Sequence, residues 1–187
     1  MAATHRGEVQ VAAAGAAPVL RVDATGRTLT EAALAAEVPI AFEYNGISHA
    51  VMLATPADLD DFALGFTLSE GLIDARADFY GMEVHASEHG LTLAIDIAAA
   101  AFARLKERRR TLAGRTGCGI CGTESLDQVL RPLPDLSARS LRVEPAALAR
   151  AHAGLVDVQP LQHATGAAHG AVWCAADGTI ACAREDV

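Results

Sequence analysis

Residues 38–54 read VPIAFEYNGISHAVMLA. Two apolar runs, Val38 to Tyr44 and Ile47 to Ala54, are separated only by Asn45 and Gly46, the dipeptide that best fits a two-residue type I′ turn. The stretch therefore predicts a β-hairpin. Directly after it, Thr55-Pro56-Ala57-Asp58 supplies an N-cap, a proline for the first helical position and an acid for the first turn. The helix so opened is predicted to run to about Glu70 and to stop at Gly71. Leu59, Phe62, Ala63 and Phe66 form its apolar stripe, and Leu64 and Leu68 widen it, so much of its surface is expected to be buried. A hairpin feeding a packed helix sets the class as α/β, more narrowly α+β.

Toward the N-terminus, Met1 to Ala17 is alanine-rich and without periodicity, which predicts a flexible tail, and Pro18 to Ala24 reads as a strand. Toward the C-terminus, Phe79 to Ala86 and Leu91 to Ile97 read as strands joined by the turn Ser87 to Gly90, and Ala98 to Leu112 regains helical spacing through Phe102 and Leu105. A short helix is predicted from Glu124 to Leu130, closed by the prolines of Arg131 to Asp135. Glu144-Pro145 opens a further helix reaching about Val158, and Gln162 to His169 has turn composition. Ala171 to Ala175 and Thr179 to Ala183 then form a hairpin around Asp177-Gly178. Its Val172, Trp173 and Ile180 call for a facing layer, and the chain stops at Glu185-Asp186-Val187, so an element that covers this sheet is expected to be missing. The expected organisation is a tail (1–17), an N-terminal α+β domain (18–105), a mobile basic and glycine-rich loop (106–123) and an incomplete C-terminal domain (124–187).

With 187 residues, 51% of them hydrophobic, the chain can bury a real core in one ordinary domain or one and a half small ones. Only 4% are aromatic and alanine is abundant, so helices form easily while each core layer stays thin. A net charge of −8 argues against nucleic-acid binding as the main task. Four cysteines, no charged-then-apolar leader at Met1 and no apolar span of about 18 residues point to a reducing, cytoplasmic setting with no membrane segment and no disulfide framework.

Chemically committed residues concentrate in Arg104 to Ser125, RLKERRRTLAGRTGCGICGTES. Cys118 and Cys121 stand among Gly117, Gly119 and Gly122, just after six basic residues. A buried structural cysteine would sit among branched aliphatics, whereas these glycines strip side chains away and leave the sulfurs accessible. A structural zinc site could recruit Cys174 and Cys182, but seven residues separate those two, Trp173 beside them reads as core packing, and both are expected in the core. A thioredoxin-like dithiol would follow a strand and open a helix, where a basic helix and a glycine loop stand instead. A zinc deaminase would need H-x-E, which none of His49, His85, His163 and His169 begins, and Gly117 takes the place of its proline. No bound metal is expected. A cysteine that carries a group covalently fits best, with Arg115 the nearest charge to hold the thiol pKa below its usual value of about 8.5. The arginines could also attract an anionic or phosphorylated ligand, although Arg108 to Arg110 read equally well as a solvated helix face. A dithiol oxidoreductase and a zinc-stabilised interaction module remain the rival readings.

The run Gly117-Cys118-Gly119-Ile120-Cys121-Gly122 after Arg115 resembles the signature of the formate dehydrogenase accessory sulfurtransferase family, FdhD. Glu43-Tyr44-Asn45-Gly46, Met52 with Thr55-Pro56, Asp61-Phe62-Ala63-Leu64-Gly65-Phe66 and Ser69-Glu70-Gly71 are similar, in order, to that family's N-terminal half. Thr165-Gly166 with His169, then Cys182 and Glu185-Asp186-Val187, resemble the start of its C-terminal half. The resemblance implies a sulfurtransferase that takes sulfur as a cysteine persulfide from a cysteine desulfurase and delivers it to the molybdenum cofactor, in its bis(guanine dinucleotide) form, of formate dehydrogenase. It implies Cys118 as the persulfide carrier, Cys121 as a relaying or resolving cysteine, a cytidine-deaminase-like core without the deaminase zinc, no permanently bound cofactor, and a homodimer. Two departures stand out: Ala167 replaces a second glycine, and the family pattern continues past Val187 with G-R-H-N and a cofactor-binding region, so the main cofactor site is expected to lie outside this chain.

Overall fold

The computed structural model describes residues 11–110, 135 and 141–187, with the backbone alone for residues 107–110. Its strands are β1 (Ala14–Asp23), β2 (Gly26–Ala35), β3 (Val38–Tyr44), β4 (Ile47–Ala54), β5 (Phe79–Ser87), β6 (Gly90–Ile97), β7 (His169–Cys174) and β8 (Ile180–Asp186). The helices are α1 (Leu59–Ser69), α2 (Ala99–Arg110), α3 (Pro145–Gly154) and α4 (Pro160–Thr165), with short 3₁₀ turns at Arg76–Asp78 and Leu155–Val158. The class is α+β, as the hairpin and its helix imply.

A four-stranded sheet in the order β4-β3-β6-β5 forms the centre. Its outer pairs are antiparallel hairpins, and the inner pair β3 and β6 is parallel, so α1 crosses between the two edge strands. Alternation puts Ile40, Phe42 and Tyr44 opposite Leu91, Leu93 and Ile95, and all six are buried on one face. Helices α1 and α2 supply the second layer: Phe62 and Phe66 ring Phe42 at centroid separations of 5.1 and 4.5 Å, and Ala101 and Leu105 join the same core. The turn at Asn45-Gly46, with φ of 46° and 80°, has both central residues in the left-handed region that a type I′ turn requires. Asn45 does more than turn the chain. Its side-chain amide donates to the Ile97 carbonyl (3.1 Å) and accepts from the Ile97 N–H (3.0 Å), pinning the end of β6 to the hairpin.

The predicted strands β3 to β6 and the long part of the predicted helices match the structure closely, and Gly71 does end α1. There the Gly71 N–H reaches the Leu68 carbonyl and the Leu72 N–H the Thr67 carbonyl, the paired bonds of a Schellman stop. Four expectations need correction. Residues 14–17, read as flexible tail, belong to β1, because β2 pairs with them through Ala35 to Ala32. Strand β2, where no element is predicted, has no readable alternation: its end is alanine-rich, and Leu29 and Leu34, five residues apart, point to opposite faces. Helix α1 starts at Leu59, with Asp58 at a left-handed φ of 48°, and Thr55 is not its cap. The Thr55 backbone and hydroxyl are taken instead by the distant C-terminal residues described below. Finally, Pro160–Thr165 is a helix that takes in Gln162 to Thr165, the first part of the stretch read as turn, since Glu185 supplies acceptors for its N-terminal N–H groups.

Candidate functional site

Arg115, Cys118 and Cys121 lie outside the described residues, as do the predicted helix from Glu124 to Leu130 and most of the proline segment after it. What the structure places is the frame around them. Helix α2 carries the start of the basic run, with Ala101 and Leu105 turned into the core. Arg104 pairs with Asp74 at 2.9 Å, and the Lys106 ammonium sits 4.7 Å from the Phe102 ring centroid. These two cations are thereby engaged by Asp74 and by a ring of their own helix. The chain returns from Leu141 into α3, whose first turn begins at Pro145.

The short motifs that flank this segment in sequence are brought together in space. The Asp186 carboxylate accepts the Thr55 N–H at 2.7 Å, and the Val187 N–H donates to the Thr55 hydroxyl at 3.2 Å. One strand end is thus stitched to the exit of β4, 131 residues earlier. Beside it Arg184 donates through Nε to Asp61 at 2.7 Å and through its terminal nitrogen to the same carboxylate, with Asp58 at 3.5 Å. The hydrogen bond to Asp61 comes first among the influences that raise the guanidinium pKa further above its ordinary value. Both oxygens of Glu185 accept N–H groups of α4, from Leu161 (2.9 Å) and Gln162 (2.8 Å). Asp58, Arg184 and Glu185 edge a cleft of about 370 Å³ floored by Ala57, Pro160 and Leu161.

In this cleft the charged groups join distant segments of the chain. Glu185 has each oxygen committed to a backbone donor, and Arg184 is held between two carboxylates, so neither is set to move a proton. The Thr165-Gly166 motif has an equally structural reading. Gly166 ends α4 at φ 69°, the Thr165 hydroxyl accepts the Ala167 N–H at 3.2 Å, and Gln162 accepts the Ala168 N–H at 2.8 Å. Ala167 is absent from the positive-φ residues, so alanine in place of glycine there carries no left-handed strain. His169 opens β7 opposite Asp186.

The hairpin β7–β8 overturns the core assignment of its cysteines. Cys174 is half-buried and Cys182 exposed, while Trp173, read as core packing, is 77% exposed. Trp173 and Cys182 oppose each other across the ladder and therefore share one face, whereas Val172 and Ala183 share the other. That other face meets the α3 end: Ile180 lies against Gly154, and a side chain at Gly178 would strike the Ala147 carbonyl. Only one side of this hairpin has a layer among the described residues. Sequence reasoning passed over Arg184, and no sequence signal marks it, since acids at a helix start such as Asp58 and Asp61 need no cation. Among the described residues no group of three or more His, Cys, Asp or Glu side chains could hold a metal ion, and no helix is long and apolar enough to cross a membrane.

Comparison with known proteins places these features in one group. Residues 35–187 match the FdhD/NarQ family. The chain is 57% identical over 157 residues to the sulfur carrier protein FdhD of Variovorax paradoxus, a match covering 82% of this chain and 55% of that protein. It is 56% identical over 155 residues to the protein of the same name from Cupriavidus necator, covering 82% of this chain and 53% of the relative. The chain thus spans about half the length of these curated relatives. A crystal structure of a protein proposed to be a formate dehydrogenase accessory protein, from Desulfotalea psychrophila, shares the fold with a TM-score of 0.60 at 18% identity, over 94% of this chain and 62% of that one. With more than three quarters of its residues matched, and the motif residues Thr55, Asp61, Glu185 and Asp186 joined in one place, the chain belongs to the FdhD/NarQ family.

Proposed function

We propose that the protein is a sulfur carrier and sulfurtransferase in the maturation of formate dehydrogenase. The observation that carries this reading is the glycine-flanked pair Cys118 and Cys121, following Arg115, in a chain of the FdhD/NarQ family. The name borne by its relatives, sulfur carrier protein, supports it. In this reading the Cys118 thiolate attacks the terminal sulfur of a persulfide on a cysteine desulfurase. A new sulfur–sulfur bond forms, the donor's breaks, and the donor cysteine leaves as a thiolate, so no external oxidant is needed. Arg115 favours the thiolate over the thiol by its charge.

The acceptor substrate is the molybdenum bis(guanine dinucleotide) cofactor of formate dehydrogenase. The terminal sulfur passes to it as a neutral atom, the acceptor supplies the electron pair, and Cys118 returns to the thiolate. Cys121 relays the sulfur by the same exchange or resolves the persulfide. In the resolving route its thiolate attacks the inner sulfur, hydrosulfide leaves, and a Cys118–Cys121 disulfide remains for a thiol reductant to reopen. The reaction belongs in the reducing cytoplasm, where thiolates persist. The division into an N-terminal domain (18–105) and a C-terminal domain (124–187), bridged by 106–123, is part of the same proposal.

Incubation with a cysteine desulfurase and cysteine tests it. Intact mass is expected to rise by one sulfur atom in the parent chain and in Cys121→Ala, and to stay unchanged in Cys118→Ala. Full labelling of Cys118→Ala with none of Cys121→Ala would reverse the two roles. If neither cysteine gains sulfur, the carrier reading fails.

A further inference from the structure

The central core takes no side chain from the C-terminal elements: its described members end at Leu105, and none belongs to α3, α4, β7 or β8. Those four elements hold to one another instead. Ile180 of β8 lies against Gly154 at the end of α3, and Gly178 comes so close to the Ala147 carbonyl that no side chain would fit between them. Arg150 of α3 donates through Nε to the Asp177 carbonyl at 3.0 Å, and Ala147 is 1% exposed. Glu185 joins β8 to α4 through the Leu161 and Gln162 N–H groups, and β7 pairs with β8. Each element of the set thus has its partner within the set.

What joins this body to the rest is different in kind. Helix α4 touches β2, and the described polar ties are the Thr55 hydrogen bonds with Asp186 and Val187 and the grip of Arg184 on Asp58 and Asp61. The side chains of that ion triad are between 44% and 54% exposed. The cleft of about 370 Å³ runs along the same joint, lined by Ala13, Ala57, Val158 and Ala164, so the apolar surfaces there are not closed on each other. Exposed ion pairs contribute little and weaken with salt. A small, polar and incompletely packed contact between two bodies opens well before the molecule unfolds.

We propose that α3, α4, β7 and β8 undock from the central sheet as one body, with Arg184, Asp58 and Asp61 as the electrostatic clasp that sets how often. Undocking uncovers Thr55, which is 3% exposed when docked, while Glu185 keeps its hold on α4. It also moves Pro145, where α3 begins, relative to Arg110, where α2 ends. The segment that carries Cys118 and Cys121 bridges those two points, so the clasp sets the span it has to cover. The inference does not rest on the sulfur chemistry, and its test reads amide exchange alone.

Residue-resolved hydrogen exchange by NMR on the 187-residue chain tests it. In the parent chain the Thr55 amide, corrected for its intrinsic rate, is expected to exchange about a hundredfold or more faster than that of Phe42, which opens with the core. Arg184→Gln removes the charge and keeps the length, and is expected to speed Thr55 exchange about threefold to tenfold. Raising sodium chloride from about 0.05 M to about 1 M, where the screening length falls to about 3 Å, is expected to do the same in the parent chain and little in the variant. The reversed pair R184D/D61R is expected to bring the Thr55 rate back to within about threefold of the parent, where R184D alone exceeds Arg184→Gln. Throughout, the Leu161 and Gln162 amides, whose acceptor is Glu185, and the Phe42 amide are expected to keep their rates within about twofold. A Thr55 amide as slow as that of Phe42 overturns the proposal, as does one that ignores both Arg184 and salt. Leu161 and Gln162 amides that lose protection in step with Thr55 overturn it as well, because the β8 end would then be fraying and the body would not be moving as one.

Discussion

Hairpins β3–β4 and β7–β8 are built from the same local instructions, a glycine-containing turn between alternating apolar residues, and they end in opposite environments. Phe42 and Tyr44 on β3 are 0% exposed, while Trp173 on β7 is 77% exposed. Turn chemistry and alternation decide that two strands pair and which residues share a face. They do not decide whether that face is covered. For β3 the cover comes from α1 and α2, which the chain supplies on the sheet's buried side. For β7–β8 the cover among the described residues comes from α3 and α4 on one side, and the face with Trp173 and Cys182 stays open.

The largest effect that would sharpen this contrast is expected at Phe42. Replacing it with alanine removes a ring that packs on Phe62 and Phe66 and is expected to cost about 3–5 kcal/mol in urea unfolding. A loss below about 1 kcal/mol would show that the central core is far looser than its burial implies.

Next comes the pH limit set by Tyr44. Its hydroxyl lies 2.9 Å from that of Thr67, whose own proton is directed to the Ala63 carbonyl at 2.6 Å, so Tyr44 is the donor. Burial pushes the phenol up to about 12 from 10.0. The unfolded chain thus ionises first. Stability from the buried neutral phenol is complete below pH 10 and falls as pH rises toward 12, by about 2–3 kcal/mol in all. Unfolding free energies measured at intervals across that range should show the decline in the parent chain and a flatter course in Tyr44→Phe.

A smaller effect is expected where the two hairpins' surroundings meet. Asp186→Ala strips the acceptor from the buried Thr55 N–H and is expected to cost about 1–2 kcal/mol. Hydrogen exchange should report it at the Thr55 amide, with protection lost there and kept at Phe42. Equal loss at both would mean that the β8 end supports the whole sheet and not only its margin.

Least of all should happen at the open face. Trp173→Ala is expected to change stability by no more than about 0.5 kcal/mol, because a side chain so exposed has few neighbours to lose. A cost near that of Phe42→Ala in the same assay would break the comparison. It would require a cover for β7–β8 that the described residues do not include.

The candidate sulfur-carrying residues are a proposal read from the sequence, since Arg115, Cys118 and Cys121 lie outside the described residues. The glycines around Cys118 and Cys121 and the basic residues before them are chemical statements that need no fold to be read, because thiolate reactivity depends on access and nearby charge. The roles of the flanking motifs were not legible. Thr55 looked like a helix cap, since a threonine before proline ordinarily is one, yet its polar groups are claimed by Asp186 and Val187. Glu185 looked like part of a family signature and proves to cap α4 through both oxygens. Such partners lie 23 to 132 residues apart, and no local pattern encodes them.

By itself the sequence determined the β3–β4 and β5–β6 hairpins, the bodies of α1 to α3 and the stop at Gly71. Each of these rests on periodicity and turn preferences that act within a few residues. Tertiary structure alone decided the parallel pairing of β3 with β6, the start of α1 at Leu59, the helix at Pro160–Thr165 and the exposure of Trp173. The physical reason is the same for all four. Each depends on whether a donor, an acceptor or an apolar layer is brought from elsewhere in the chain, and folding settles which local preferences survive.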